Sequence, residues 1–457
     1  MTPASLLAAR KGRWADELAC LVGPHGVPGA ALGVSWRGER SIITVGVANL
    51  RSGLPVTAGT VFQLGSISKI YTATLLAILS NGEPGLLDRP VSDALPEADW
   101  IGSQVTFRHL LAHMSGIGGD HFADTGRDDG CLTRYVDGLR HLPRDVPGPP
   151  GRRYSYCNSG FAVLGRAVEV LSGRSFDKAL RTLLLEPLGA STTSAFAEEV
   201  ILWPVAVGHN RSSPGSPMTP DATWGFPRSC GPLGGICASV EDVLALAELH
   251  LGVGDRCRSV GLTPPILAQM RSRQIELPPH SRPTARGLGW GIYDWPGAEL
   301  VGHDGETLGH ISKLRLLVRE QLAIVVLTNG IPDGGYAARS LEATVLRDWG
   351  LVPPQLPEPL VHQAVDPLPF VGRYANLEGA VEVSSIPGGL RLVSTHSAAG
   401  LAGRQEVTQL RPVGGSGFVA EGSSPQAVVH FADQDRQGAF HSYFNGRLAW
   451  RSDAEEV

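Results

Sequence analysis

A serine and a lysine three residues apart stand at the start of a long apolar run. The stretch from Phe62 reads FQLGSISKIYTATLLAIL, and Lys69 is one of only four lysines in the chain. The run has helical length and spacing, so we expect Ser66 in the first helical turn with Lys69 on the same face. A serine hydroxyl becomes a nucleophile when a neighbouring base takes its proton, and a lysine in an apolar setting can act as that base. The alternative interpretation is a capped helix whose lysine reaches solvent.

Spacing alone does not separate these interpretations, because the same pattern recurs at Ser175 and Lys178. Ser175 directly precedes FDKALRTLLL, which is the position of a helix N-cap. We therefore expect the second lysine to be solvated, so Ser66 needs partners from elsewhere in the chain.

Two further short motifs supply such partners. Tyr156 and Asn158 form a YCN stretch just before an amphipathic run, and His303 begins HDG at the end of a predicted strand. A similar HLG at His250 lies within a predicted helix, where we expect a surface role. The order SxxK, YxN, HxG resembles the serine β-lactamase and penicillin-binding-protein superfamily, in its class C-like branch where HxG replaces KTG. The resemblance covers roughly residues 27–349.

The resemblance implies a role for each motif residue. Ser66 would be the nucleophile and Lys69 its proton-accepting partner, while Tyr156 would carry a proton between the serine, the leaving group and the incoming acceptor. Asn158 would hydrogen-bond Lys69 and the substrate amide, although a turn-forming asparagine is the simpler alternative. His303 would orient Tyr156 or bind the substrate.

Other residues would bind the substrate around these groups. The backbone N–H groups of Ser66 and Glu306 would form the oxyanion hole. Gly234 and Gly235 match a glycine pair that lines the cleft in the family, and ordinary turn glycines explain them as well. Arg447 follows an Asn-Gly turn signature near the C-terminus and could hold a substrate carboxylate or carbonyl, the alternative being a solvated surface arginine.

The pattern of elements predicts two domains that would position these residues. Residues 1–351 alternate helical and strand-like runs, with late strands joined by short connections. These predict an α/β (α+β) domain of the β-lactamase/transpeptidase type, with an antiparallel sheet and a helical subdomain. Residues 352–369 hold six prolines and are interpreted as a linker. Short strand-like runs over 370–457 predict a small all-β domain, lipocalin-like by the resemblance.

Composition restricts the partners of the protein. The 457 residues are 42% hydrophobic and 18% charged, with a net charge of -5 and no basic run, so we expect no nucleic-acid partner. We also expect no membrane partner, because no stretch is apolar for the length of a span. The cysteines form no CxxC pair, and we predict neither a metal site nor a cofactor. The N-terminus lacks an uninterrupted apolar segment, so we expect a cytoplasmic protein.

Within the superfamily, this setting favours the penicillin-binding-protein-type thioesterases that release nonribosomal peptides. Such an enzyme would take a peptide from a carrier-protein thioester, and the peptide's own amine would close a macrocycle. A cytoplasmic esterase or D-stereoselective amidase is the alternative enzyme. A catalytically silent ligand-binding relative is the alternative from another class.

Overall fold

The computed structural model describes residues 2–23, 26–142, 146–213, 215–355, 357–360, 365–397, 404–421 and 428–452. These residues form an α/β part followed by a closed β-barrel. The helices, in chain order, are α1 Pro3–Leu21, α2 Ser68–Asn81, α3 Val91–Ala94, α4 Phe107–Leu111, α5 Cys131–Gly138, α6 Asn158–Ser172, α7 Phe176–Leu180, α8 Glu186–Leu188, α9 Ala197–Val200, α10 Val240–Leu251, α11 Arg256–Ser259, α12 Pro264–Met270 and α13 Asp333–Arg347.

The strands of the α/β part are β1 Gly29–Trp36, β2 Glu39–Gly46, β3 Val61–Gln63, β4 His209–Asn210, β5 Thr219–Pro220, β6 Cys237–Ser239, β7 Ile275–Glu276, β8 Ala285–Arg286, β9 Gly291–Trp295, β10 Ala298–Thr307, β11 His310–Leu317 and β12 Leu322–Thr328. The strands of the barrel are β13 Gly372–Asn376, β14 Gly379–Ile386, β15 Gly389–His396, β16 Gln405–Gly414, β17 Gly417–Ala420, β18 Val428–Gln434, β19 Phe440–Phe444 and β20 Leu448–Arg451.

The main sheet is antiparallel throughout, with strand order β2-β1-β12-β11-β10-β9-β8-β7. Every residue of β11 and β12 is buried, because α1 and α13 cover one face of the sheet and α10 covers the other. Strands covered on both faces read as continuous apolar runs, as β12 does in LAIVVLT. The predicted antiparallel sheet is confirmed.

Helices α2 and α6 pack together at the centre of the helical part. Helix α2 is buried from Ser68 to Ala77, so Lys69 enters the core with it. Helix α10 is buried along its whole described length except Glu241, which corrects one prediction. His250 is fully buried rather than on the surface, since its ring hydrogen-bonds Thr74 at 2.9 Å and packs edge-on against Trp290.

The second part is an eight-stranded barrel, as the short C-terminal runs predict. Strand β20 pairs with β13 and closes the ring. Its interior is filled by aromatic rings, with Phe370 5.0 Å from Phe418 and 5.1 Å from Phe431 between ring centroids. A lipocalin-like β domain is therefore consistent with the observed barrel.

The predicted domain limits at 351/352 and 369/370 stay predictions. Helix α13 ends at Arg347 and the first barrel strand begins at Gly372. Parts of the predicted linker and of the predicted C-terminal domain, namely 356, 361–364, 398–403, 422–427 and 453–457, lie outside the described residues.

Candidate active site

Ser66 lies in a tight turn between strand β3 and helix α2. Residues Gly65–Ile67 form a short 3-10 turn, and Gly65 has a left-handed φ of 51°. The predicted position of Ser66 in the first α-helical turn is therefore corrected, because α2 begins only at Ser68. A Cβ on Gly65 would meet the backbone of Glu306 at 2.7 to 3.0 Å, so glycine allows the turn to lie directly on β10.

Hydrogen bonds hold this turn on both sides. The Leu64 N–H donates to the Ile236 carbonyl at 3.0 Å, and the Ser312 hydroxyl donates to the Leu64 carbonyl at 2.7 Å. The Ser68 hydroxyl accepts from the Ile236 N–H at 3.0 Å. The serine is thus fixed between strands of the main sheet and the segment before β6.

The Lys69 amine is hydrogen-bonded to the serine hydroxyl. Nζ donates to Ser66 Oγ at 3.0 Å and to the Leu233 carbonyl at 2.5 Å, and the residue is fully buried. Burial lowers the pKa of Lys69 from 10.5 to about 7, against an opposing attraction from Asp120; Arg447 adds to the lowering. The amine is therefore largely neutral above pH 7 and can accept a proton.

Tyr156 reaches the serine from a different segment. Burial raises the pKa of its phenol to about 12, while a hydrogen bond with Ser66 opposes that rise. Its ring lies 5.0 Å from Lys69 Nζ and stacks on His113 at 4.4 Å between centroids. The phenol therefore stays protonated near neutral pH, with the serine hydroxyl between phenol and amine.

Asn158 is the first residue of α6, and its amide nitrogen donates to the Asp120 carboxylate. The hydrogen bonds of Lys69 within the described ranges go to Ser66 and Leu233, so the predicted bond from Asn158 to Lys69 is absent there. The Asn158 amide nitrogen is instead bound to the Asp120 carboxylate, and Lys69 donates to the Leu233 carbonyl.

His303 lies in β10 beside Tyr156, with 6.2 Å between the ring centroids. Its Nδ1 donates to the Asp304 carbonyl at 2.6 Å. Burial lowers the pKa of His303 to about 3, with further lowering from Arg286 and Lys69, so the ring is neutral. Its buried Nε2 has no hydrogen-bond partner among the residues that the structure describes.

The backbone groups predicted for the oxyanion hole lie next to one another. The close contact of Gly65 with Glu306 places the Glu306 N–H beside the serine turn. Gly234 and Gly235 belong to the turn Gly231–Gly235, which also supplies the carbonyl that binds Lys69.

Arg447 is not a solvated surface residue. Its Nη2 lies 2.7 Å from Asp120 Oδ2, its Nε pairs with Glu378, and its guanidinium lies 4.9 Å from the centroid of Tyr156. The Asn-Gly turn between β19 and β20 brings it there, since the Gly446 carbonyl accepts from the Tyr156 N–H at 3.2 Å. The barrel therefore forms one wall of the serine site.

Sequence reasoning gave no role in this site to three of its residues. Asp120 bridges Asn158 and Arg447, His113 stacks on Tyr156, and Arg286 lies 5.4 Å from the Tyr156 centroid. None belongs to a motif with fixed spacing to Ser66, so only the fold brings them together.

No group of metal-ligating side chains occurs within the described ranges. In the same ranges, every helix is too short or too polar to cross a membrane.

The antiparallel sheet, the helical core and a serine hydrogen-bonded to a buried lysine define a serine hydrolase of the β-lactamase and penicillin-binding-protein type. The chain belongs to the Beta-lactamase family, whose profile matches residues 14–346. It is 36% identical over 382 residues to penicillin-binding protein 4 of Amycolatopsis lactamdurans, covering 80% of this chain and 98% of that protein.

Two other similarities differ in the share of the chain that they cover. The crystal structure of SurE has a TM-score of 0.75 and 26% identity, covering 97% of this chain and 99% of SurE, so it includes the barrel. A D-aminopeptidase of Cereibacter sphaeroides is 28% identical over 336 residues, which are 71% of this chain and 60% of that enzyme.

Proposed function

We propose that the protein is a penicillin-binding-protein-type thioesterase that releases a peptide by head-to-tail macrocyclisation. In this proposal Ser66 takes the peptidyl group from a carrier-protein thioester in the cytoplasm, and the N-terminal amine of the peptide resolves the ester. The observation that carries it is the barrel turn at Gly446 and Arg447, which lies directly against Tyr156. A wall there can restrict water while a long peptide folds back on itself.

Acylation follows from the geometry around the serine. Neutral Lys69 accepts the Ser66 proton as Oγ bonds to the thioester carbon, and the N–H groups of Ser66 and Glu306 stabilise the oxyanion. The carbon–sulfur bond then breaks, and the thiolate takes the proton from the Lys69 ammonium by way of the Tyr156 phenol. The product of this half-reaction is an ester on Ser66.

Release runs through the same groups in reverse. The peptide amine attacks the ester carbon, its proton passes through Tyr156 to Lys69, and Ser66 Oγ regains a proton as it leaves. Asn158, held by Asp120, and the free Nε2 of His303 would hydrogen-bond the substrate backbone near the ester.

A D-residue next to the ester is the substrate feature that the comparisons support. One structure of SurE contains D-Leu, with 26% identity to this chain, and the curated relatives include D-aminopeptidases. We therefore propose a peptide that ends in a D-residue, bound near Gly234 and Gly235.

Arg447 would bind a carbonyl or carboxylate of the substrate, in exchange for part of its pairing with Asp120 and Glu378. Arg447→Ala should raise KM for a long peptidyl thioester, whereas Arg411→Ala should not, since Arg411 pairs with Glu421 elsewhere on the barrel. An Arg447→Ala variant with unchanged kinetics would refute substrate binding by Arg447.

Hydrolysis is the second candidate function, favoured by the D-aminopeptidase relatives. The test is a panel of linear peptidyl thioesters with D- or L-terminal residues, analysed by mass for cyclic and linear products. Macrocyclisation predicts mainly the cyclic product from D-terminal substrates. If every thioester of the panel yields only the linear acid, and simple esters are hydrolysed faster, the protein is an esterase or amidase and the macrocyclisation proposal is refuted.

A further inference from the structure

Arg286 is a buried cation beside the serine site. It lies in β8 with 8% exposure, and its Nε donates to the Tyr154 hydroxyl at 3.0 Å. Its guanidinium carbon lies 5.3 Å from the ring centroid of Tyr154 and 5.4 Å from that of Tyr156. Within the described part of the chain, no carboxylate forms an ion pair with it. A buried charge without a counter-ion is costly, so its retention calls for an explanation.

In the described ranges, the other basic groups of the site are either largely neutral or paired with a carboxylate. His303 stands where the resembled enzymes with KTG carry a lysine, and its buried ring is neutral. Arg447 also faces Tyr156 and lowers the pKa of Lys69, but it is paired with Asp120 and Glu378. Among the described residues, Arg286 contacts Tyr154 and Tyr156 and has no carboxylate partner, so no counter-ion there offsets its charge.

We propose that Arg286 supplies the fixed positive charge of this site, as a positioning residue that acts through Tyr154 and Tyr156 on the proton transfers of Ser66. The inference rests on the proposed roles of Ser66 and Tyr156, and it holds whether the final acceptor is an amine or water.

The direction of the effect follows from the charges around the amine. A nearby cation favours the neutral form of Lys69 and His303 and makes the Tyr156 phenol a stronger acid. Arg286 lowers the pKa of all three groups. The titratable and charged groups that face Lys69 come from several segments, namely His113, Asp120, Tyr156, Cys157, Cys230, Arg286, His303 and Arg447.

The test compares Arg286→Gln, Arg286→Lys and the control Arg273→Gln, whose arginine forms ion pairs with the exposed carboxylates of Glu276 and Asp294. The measurement is the single-turnover rate of serine acylation by an aryl ester between pH 5.5 and 9. We expect Arg286→Gln to lower the plateau rate by about 10- to 100-fold and to move the acid limb upward by about half a pH unit. Arg286→Lys should recover most of the rate, and Arg273→Gln should match the wild type.

The results that would contradict the role of Arg286 differ from the result that would contradict the proposed function. An acylated wild type with an unchanged profile in Arg286→Gln would refute the role of Arg286. Equal losses of acylation rate in Arg286→Gln and Arg286→Lys would show that Arg286 acts only through packing. That result would also refute the proposed electrostatic role. A wild-type protein that no aryl ester acylates would instead refute the proposed function, and the inference with it.

Discussion

The most direct consequence of the buried Lys69 is the pH dependence of acylation. With a pKa of about 7, half of the amine is neutral at pH 7 and about nine-tenths at pH 8. A lysine with the ordinary pKa of 10.5 would be neutral in only about 0.03% of molecules at pH 7. Burial therefore increases the population of the base by about 10³-fold at neutral pH.

The assay is single-turnover acylation by an activated aryl ester from pH 5.5 to 9 at constant ionic strength. The rate should rise about tenfold for each pH unit below 7 and level off above about pH 8. Lys178→Ala is the matched control, because Lys178 repeats the SxxK spacing and is exposed. It should leave the midpoint unchanged.

A midpoint above pH 9, or a rate that falls as the pH rises through 7, would refute the assignment of neutral Lys69 as the base. A shift of the midpoint in Lys178→Ala would show that the titrating group is not Lys69 alone, and would contradict the assignment.

Three further substitutions test the site. Lys69→Met should abolish acylation yet stabilise the fold by about 1 to 3 kcal/mol at pH 6. Because the folded pKa lies below the unfolded one, the unfolded wild type binds more protons between pH 7 and 10.5. In chemical denaturation, the difference in unfolding free energy between Lys69→Met and the wild type should therefore shrink as the pH rises through that window. A constant difference would contradict the lowered pKa. Tyr156→Phe should lower the acylation rate by about 10³-fold with an unchanged melting temperature, and a fully active variant would remove the phenol from the mechanism. A Cβ in Gly305→Ala would collide with the Leu64 carbonyl and displace the Glu306 N–H, so kcat should fall about 10²-fold; wild-type kcat would contradict the close contact.

Local patterns predicted more of the fold than of the site. Alternation and apolar runs indicate strands and helices directly, and the SxxK spacing placed Ser66 and Lys69 together because three residues separate neighbours on a helical turn. His250 was predicted on the surface because a single helix does not reveal that both its faces are covered. Asp120 and Arg286 come from a loop and a two-residue strand, whose approach to the serine depends on long-range packing. Tertiary partners of this kind leave no periodic signal in the sequence.

The measurement that tests the central claim most directly is the intact mass of the protein after brief mixing with a fluorophosphonate or a peptidyl thioester. The serine site predicts one added acyl or phosphonyl group on the wild type, mapped to Ser66 by peptide fragmentation. Ser66→Ala should show no added mass, while Ser175→Ala should be modified at the wild-type rate, because Ser175 is the N-cap residue of α7 and Lys69 is hydrogen-bonded to Ser66. Modification that persists in Ser66→Ala, or disappears in Ser175→Ala, would contradict the assignment of the nucleophile.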